Sequence, residues 1–135
     1  MRKLAACLLA TMMVAAPAVA DETWKTGFGV IEWEKDYGGG AIFKLQSGKG
    51  DFTRYYVEGL TTGGDRSHYE GYWIRQGGEP ICSAELVGPD GTRSKNWGRI
   101  SLTFVKDNFP SDWTALTGLC LGEPLDVLTG IAQVG

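Results

Sequence analysis

Clusters of turn-forming residues break this chain at intervals of about 10 to 18 residues, too short for long helices and suited to a run of short strands. They are Gly38-Gly39-Gly40, Ser47-Gly48-Lys49-Gly50, Gly63-Gly64-Asp65, Gly77-Gly78, Pro89-Asp90-Gly91, Asp107-Asn108-Phe109-Pro110 and Gly122-Glu123-Pro124. Between them lie segments rich in Val, Ile, Thr, Tyr, Phe and Trp, side chains that pack well on a pleated, half-buried surface. Several segments alternate with the two-residue period of a strand. Over 97–105, Gly98, Ile100, Leu102 and Phe104 share one face, with Arg99, Ser101 and Thr103 opposite. Ala41, Phe43 and Leu45 oppose Ile42, Lys44 and Gln46, and Cys82, Ala84 and Leu86 oppose Ser83 and Glu85.

This pattern predicts an all-β chain with eight short strands, at 27–34, 39–46, 51–60, 68–76, 80–88, 97–105, 112–121 and 125–133. The best helix candidate is 111–119, where Ser111 stands at a capping position. Thr114, Thr117 and Gly118 are poor helix formers, so a strand is expected there too. Sequential strands joined by tight turns form a meander, and closing a meander removes its exposed edges. The expected fold is an up-and-down antiparallel barrel, with a β-sandwich of similar strand count as the alternative.

The first twenty residues are of a different kind. Met1-Arg2-Lys3 is a short basic segment, residues 4–14 are apolar, and Ala18-Val19-Ala20 fits the small-x-small pattern of signal-peptide cleavage before Asp21. The apolar run is too short to span about 30 Å of hydrocarbon. Residues 1–20 are therefore expected to be a cleaved export signal and 21–135 a single domain, periplasmic or secreted and not membrane-spanning. All 20 glycines and all 15 aromatic residues lie after residue 20. There 11 basic residues stand against 16 acidic ones, a net −5, which argues against nucleic acid as a partner because phosphate binding needs a basic surface.

Cys7 falls in the expected signal, leaving Cys82 and Cys120, an even pair in an oxidising compartment. A bridge between them closes a long loop and is worth about 4 kcal/mol in the chain-entropy account. No CxxC spacing occurs, and His68 is the one histidine, so neither a metal site nor a thiol nucleophile is expected. His68 adjoins the hairpin-like segment Gly63–Ser67, where no water-excluded pocket is expected around a general base. Glu32 and Glu34 share a strand face, a spacing compatible with paired-carboxylate catalysis, yet Lys44 on the next strand makes a solvated charged face the simpler reading. Asp90-Gly91 supplies too few ligands for a calcium loop. No catalytic residue and no cofactor is expected.

Aromatic residues are more informative. Tyr69, Gly71, Trp73 and Arg75 share one strand face, and Phe52, Arg54, Tyr56 and Glu58 form a mixed stripe on the preceding strand. Arg54, Tyr56, Tyr69, Trp73 and Arg75 are therefore candidates for a platform that holds a small molecule, a carbohydrate or a lipid, Gly71 leaving a flat gap between rings. The plainer reading is that the rings fill the core of a small barrel. Trp33, Trp97 and Trp113, each near a turn, fit either role. In architecture the chain resembles avidin-like and lipocalin-like barrels, with its glycine-rich meander, single bridge and early aromatic. No motif matches either group residue by residue, so no binding residues carry over. The expected function is an exported, non-catalytic barrel binding protein. The alternative is an inhibitor or accessory factor that docks the Gly63–Ser67 and Pro89–Asn96 loops on another exported protein, such as a cell-wall hydrolase or protease.

Overall fold

The computed structural model describes residues 22–48, 50–61, 67–106 and 110–133. The expected signal segment and positions 63–66 of the first docking loop lie outside the described residues. Ten strands follow in chain order: β1 (Thr23–Thr26), β2 (Gly29–Tyr37), β3 (Gly40–Gln46), β4 (Phe52–Val57), β5 (His68–Gln76), β6 (Leu86–Val87), β7 (Arg93–Ser94), β8 (Trp97–Phe104), β9 (Trp113–Thr117) and β10 (Asp126–Ala132). Eight of them close into a barrel in the order β1-β10-β9-β8-β5-β4-β3-β2, every ladder antiparallel. The expected up-and-down barrel is correct, and the segment 111–119 carries a strand, Trp113–Thr117, rather than a helix.

One stave of the barrel differs from expectation. The segment 80–88 does not join the wall; only Leu86–Val87 is extended, paired with Arg93–Ser94 in a separate two-stranded ribbon. Gly77 and Gly78 both take left-handed φ values and turn the chain off the barrel before Pro80. The missing stave is β1, which a two-residue turn at Gly27-Phe28 separates from β2. Thr26 closes that turn by accepting the Phe28 amide at 3.1 Å and donating to the Gly29 carbonyl at 2.7 Å.

Eight strands enclose an interior just wide enough to be filled by side chains. Here Trp24, Ile31, Phe43, Tyr55, Val57, Tyr69, Ile100, Leu102, Trp113 and Leu128 fill it, all buried. Trp24 lies against Phe43 at 5.0 Å and Trp113 at 6.3 Å between ring centroids. Gly71 and Gly98 bring backbone and ring into close approach. A Cβ on Gly71 collides with the Tyr56 carbonyl, and one on Gly98 collides with the Gly118 carbonyl and the Trp73 indole nitrogen. The expected gap beside Gly71 is thus occupied by the neighbouring strand.

A second, smaller apolar cluster lies outside the barrel wall. Ile42, Tyr56 and Ile74 point outward from β3, β4 and β5, and Tyr72, Leu86 and Trp97 pack against them. The excursion between β5 and β8 covers this cluster. Buried Asn96 pins it, accepting the Ile81 amide and donating to the Gly77 carbonyl, both at 2.8 Å. Trp97 donates its indole N–H to Ala84 at 2.8 Å, and a Cys82–Cys120 disulfide, Cα atoms 5.7 Å apart, ties the excursion to the β9–β10 loop.

Candidate functional site

Register decides which aromatic side chains meet. Tyr56 stands opposite Tyr72 in the β4–β5 ladder, so both project outward and stack at 5.0 Å with 25° between ring planes. On β2, a shift in register between Trp33 and Lys35 re-aims the strand end and sets Tyr37 opposite Gly40, where it is about half exposed. The three tyrosines line a cleft of about 350 Å³ on the outer wall. The Gly38–Gly40 turn, Ile42, Glu58 and Pro89 are also among its lining. That volume lies at the lower end of small-molecule sites.

A charged network supports the back of this cleft. Arg54 donates from Nε and Nη2 to the two oxygens of Glu34, at 2.8 and 3.0 Å, and from Nη1 to the Thr92 hydroxyl at 2.9 Å. These bonds to Glu34 hold its guanidinium above its ordinary pKa against the opposing effect of burial. Asp90 accepts from the Tyr56 hydroxyl at 2.9 Å and from the Thr92 amide at 3.1 Å. Burial opposes its charge, but the bonds from Thr92 and Tyr56 and the nearby Arg54 bring its carboxyl below the ordinary value. Burial pushes the Tyr56 and Tyr72 hydroxyls up, Asp90 adding to both and Glu58 to Tyr72. The Tyr56 phenol thus keeps its proton and donates a hydrogen bond to the Asp90 carboxylate.

The five expected platform residues divide between the two faces of the sheet. Arg54 and Tyr56 lie on the outer wall; Tyr69 and Trp73 turn into the barrel, and Arg75 sits exposed at the end of β5. Trp73 donates its indole N–H to the Gly118 carbonyl at 3.0 Å. With Tyr55, Phe28, Asp126 and Val127 it lines a recess of about 230 Å³ at the barrel mouth. Tyr37 and Tyr72 escaped the sequence reading. Tyr72 follows from the β4–β5 register, but Tyr37 owes its place to the bulge in β2.

Other candidates take structural positions. Trp33 packs on Phe43 at 5.6 Å and donates to Asp36 at 2.8 Å; Trp113 is interior, and Trp97 belongs to the outer cluster. Glu32 stands opposite Lys44, and Glu34 is engaged by Arg54. His68 is half exposed on the outer wall, 2.9 Å from Thr103 and 3.5 Å from Glu70. Among the described residues no group of three or more His, Cys, Asp or Glu side chains is placed to hold a metal ion, and no helix is long and apolar enough to cross a membrane.

A third surface was not anticipated. The β9–β10 loop exposes Leu119, Leu121 and Leu125 at 52, 80 and 72%, beside Phe28 at 73% and Val127 at 67%. Its backbone is firmly held: the Cys120 amide bonds Trp97, the Gly118 amide bonds Arg99, and Arg99 donates to the Leu121 and Gly122 carbonyls. Comparison with protein-family models, curated proteins and solved structures finds no match to the chain.

Proposed function

We propose that this chain is an exported, non-catalytic binding protein that holds a small or oligomeric ligand in the tyrosine cleft of its outer wall. The observation that carries this reading is the contrast between a barrel interior packed with side chains and an open, aromatic-lined cleft outside it. Among the described residues the interior side chains leave a recess of about 230 Å³ at the barrel mouth, smaller than the outer cleft. The cleft supplies apolar faces from Tyr37, Tyr72 and Pro89 and a few convergent polar groups, the usual composition of a small-molecule site. The disulfide and the leader-like residues 1–20 support export.

The test is a fragment screen followed by amide NMR spectra. The expected result is a set of shifts confined to residues 37–42, 56–59 and 72, lost in Tyr37→Ala with the fold intact. Fragments that shift only other parts of the molecule overturn the reading.

The alternative, docking on another exported protein, draws support from the leucine-bearing loop rather than from the loops first considered. Pro89–Asn96 is largely committed to covering the outer wall. A rigid loop that presents Leu119, Leu121 and Leu125 loses little freedom on binding, which is how pre-organised inhibitors gain affinity. Under this reading Leu121→Asp abolishes association while leaving the cleft spectra unchanged.

A further inference from the structure

The charges around the tyrosine cleft are arranged for one sign of ligand. Among the described residues that line it, Glu58 is the sole charged side chain, and it is exposed. The cation behind the wall, Arg54, is already bound to both oxygens of Glu34 and lies 3.7 Å from Asp90. Carboxylates therefore outnumber it in its own network. Further cations occupy the surrounding strands, and none lines the cleft. Lys44, opposite Arg54 on β3, sets its Nζ over the Phe52 ring at 4.9 Å. Arg99, opposite Tyr72, is drawn to the carbonyls of Leu121 and Gly122, while Lys35, opposite Ile42, is exposed on β2. The rest of the lining is uncharged and includes Tyr37, Tyr56 and Tyr72. The faces of tyrosine rings carry the negative end of the ring quadrupole. Rings of this kind attract ammonium groups, most strongly where water is partly excluded.

We infer that the cleft selects organic cations, alkylammonium or quaternary ammonium groups, seated against Tyr37 and Tyr72 with Glu58 as counter-charge. The inference rests on the cleft being the ligand site and goes further by fixing the sign and class of what enters. An anion finds no cationic partner in the lining, and a neutral ligand draws at most hydrogen bonds, not charge pairing, from Glu58. Burial is the main reason the Tyr72 hydroxyl is raised, and the charges of Glu58 and Asp90 add to it.

Tetramethylammonium and tert-butanol, similar in size and differing in charge, separate the possibilities when titrated into the purified protein and followed by amide NMR. Tetramethylammonium is expected to shift residues 37–42, 56–59 and 72 and to bind about tenfold tighter than tert-butanol. Glu58→Gln, a change at an exposed position, is expected to weaken the cation about fivefold and leave tert-butanol unchanged. Equal binding of the two probes overturns the inference, as does a Glu58→Gln variant that binds the cation normally. If the cation shifts nothing while a neutral saccharide shifts the same residues, cation selection falls and the cleft stands as the ligand site. If no probe shifts them, both readings fall.

Discussion

Trp24 donates its indole N–H to the carbonyl of Ser111 across 2.9 Å, linking β1 to the segment just before β9 inside the barrel. Its neighbour Trp113 is equally buried, yet its indole nitrogen has no hydrogen-bond partner. The two rings bury comparable apolar area and differ in polar satisfaction, which makes them a matched pair.

Replacing each with Phe separates the two contributions. Trp24→Phe loses ring volume and orphans a buried carbonyl, while Trp113→Phe loses the same volume but removes an unsatisfied donor. A buried unsatisfied group costs about 1–3 kcal/mol, so Trp24→Phe is expected to be the more destabilising by about that amount. Urea unfolding of the two variants measures the difference, and equal losses contradict the assignment.

Gly71 and Gly27 offer a second contrast. A Cβ at Gly71 runs into the Tyr56 carbonyl, and one at Gly27 meets nothing within 4 Å. Gly71→Ala must push β4 and β5 apart and is expected to cost about 3 kcal/mol or more, whereas Gly27→Ala should fall within about 0.5 kcal/mol of the parent. Thermal unfolding followed by circular dichroism reports both.

Removing the bridge with Cys82→Ala and Cys120→Ala frees the excursion from the β9–β10 loop. The expected loss is about 4 kcal/mol, from the long stretch of chain that the bridge closes. Tm should fall accordingly, and the exposed leucines should become accessible to proteases. A small shift in Tm with unchanged proteolysis indicates that the hydrogen bonds of the loop hold it without the bridge.

Alkaline pH acts through buried phenols. Burial pushes the Tyr55 hydroxyl up to about 12, above the ordinary value of 10.0. A raised folded-state value means that the native state holds its proton more tightly than the unfolded chain does. The associated stability is complete below pH 10 and declines as pH rises toward 12. Two units correspond to about 2.7 kcal/mol. Tyr56 and Tyr72 are shifted in the same direction. Ionisation of Tyr55, Tyr56 and Tyr72, read by ultraviolet absorbance, should therefore coincide with unfolding rather than precede it. Titration of all five tyrosines near pH 10 in a folded protein contradicts this.

The barrel was legible because turn residues and two-residue alternation are local signals. Faces read from 39–46 and 97–105 reappear in β3 and β8, with Phe43 and Leu102 inside as the alternation requires. Alternation also gave 80–88 the look of a stave, although two left-handed glycines and Pro80 carry that segment off the wall. Strand β1 was hidden by its four-residue length and a turn marked by a single internal glycine. The binding surface was harder to read. Arg54 and Tyr56 share parity, as do Tyr69 and Trp73, but parity does not state which face is inside. Tyr37 is brought to Tyr56 and Tyr72 by a bulge, which depends on long-range pairing.

Because the excursion caps the outer wall, β3, β4 and β5 lie between two apolar clusters while β9 and β10 turn one face to solvent. A wall insulated on both sides opens only when much of the molecule opens with it. Amide hydrogens of Phe43, Tyr55 and Ile74 should therefore exchange with deuterated water at the rate of global unfolding, and those of β10 through smaller, local openings. The tyrosine cleft is built largely on the slow side of that divide, so its shape persists through the local openings of β10.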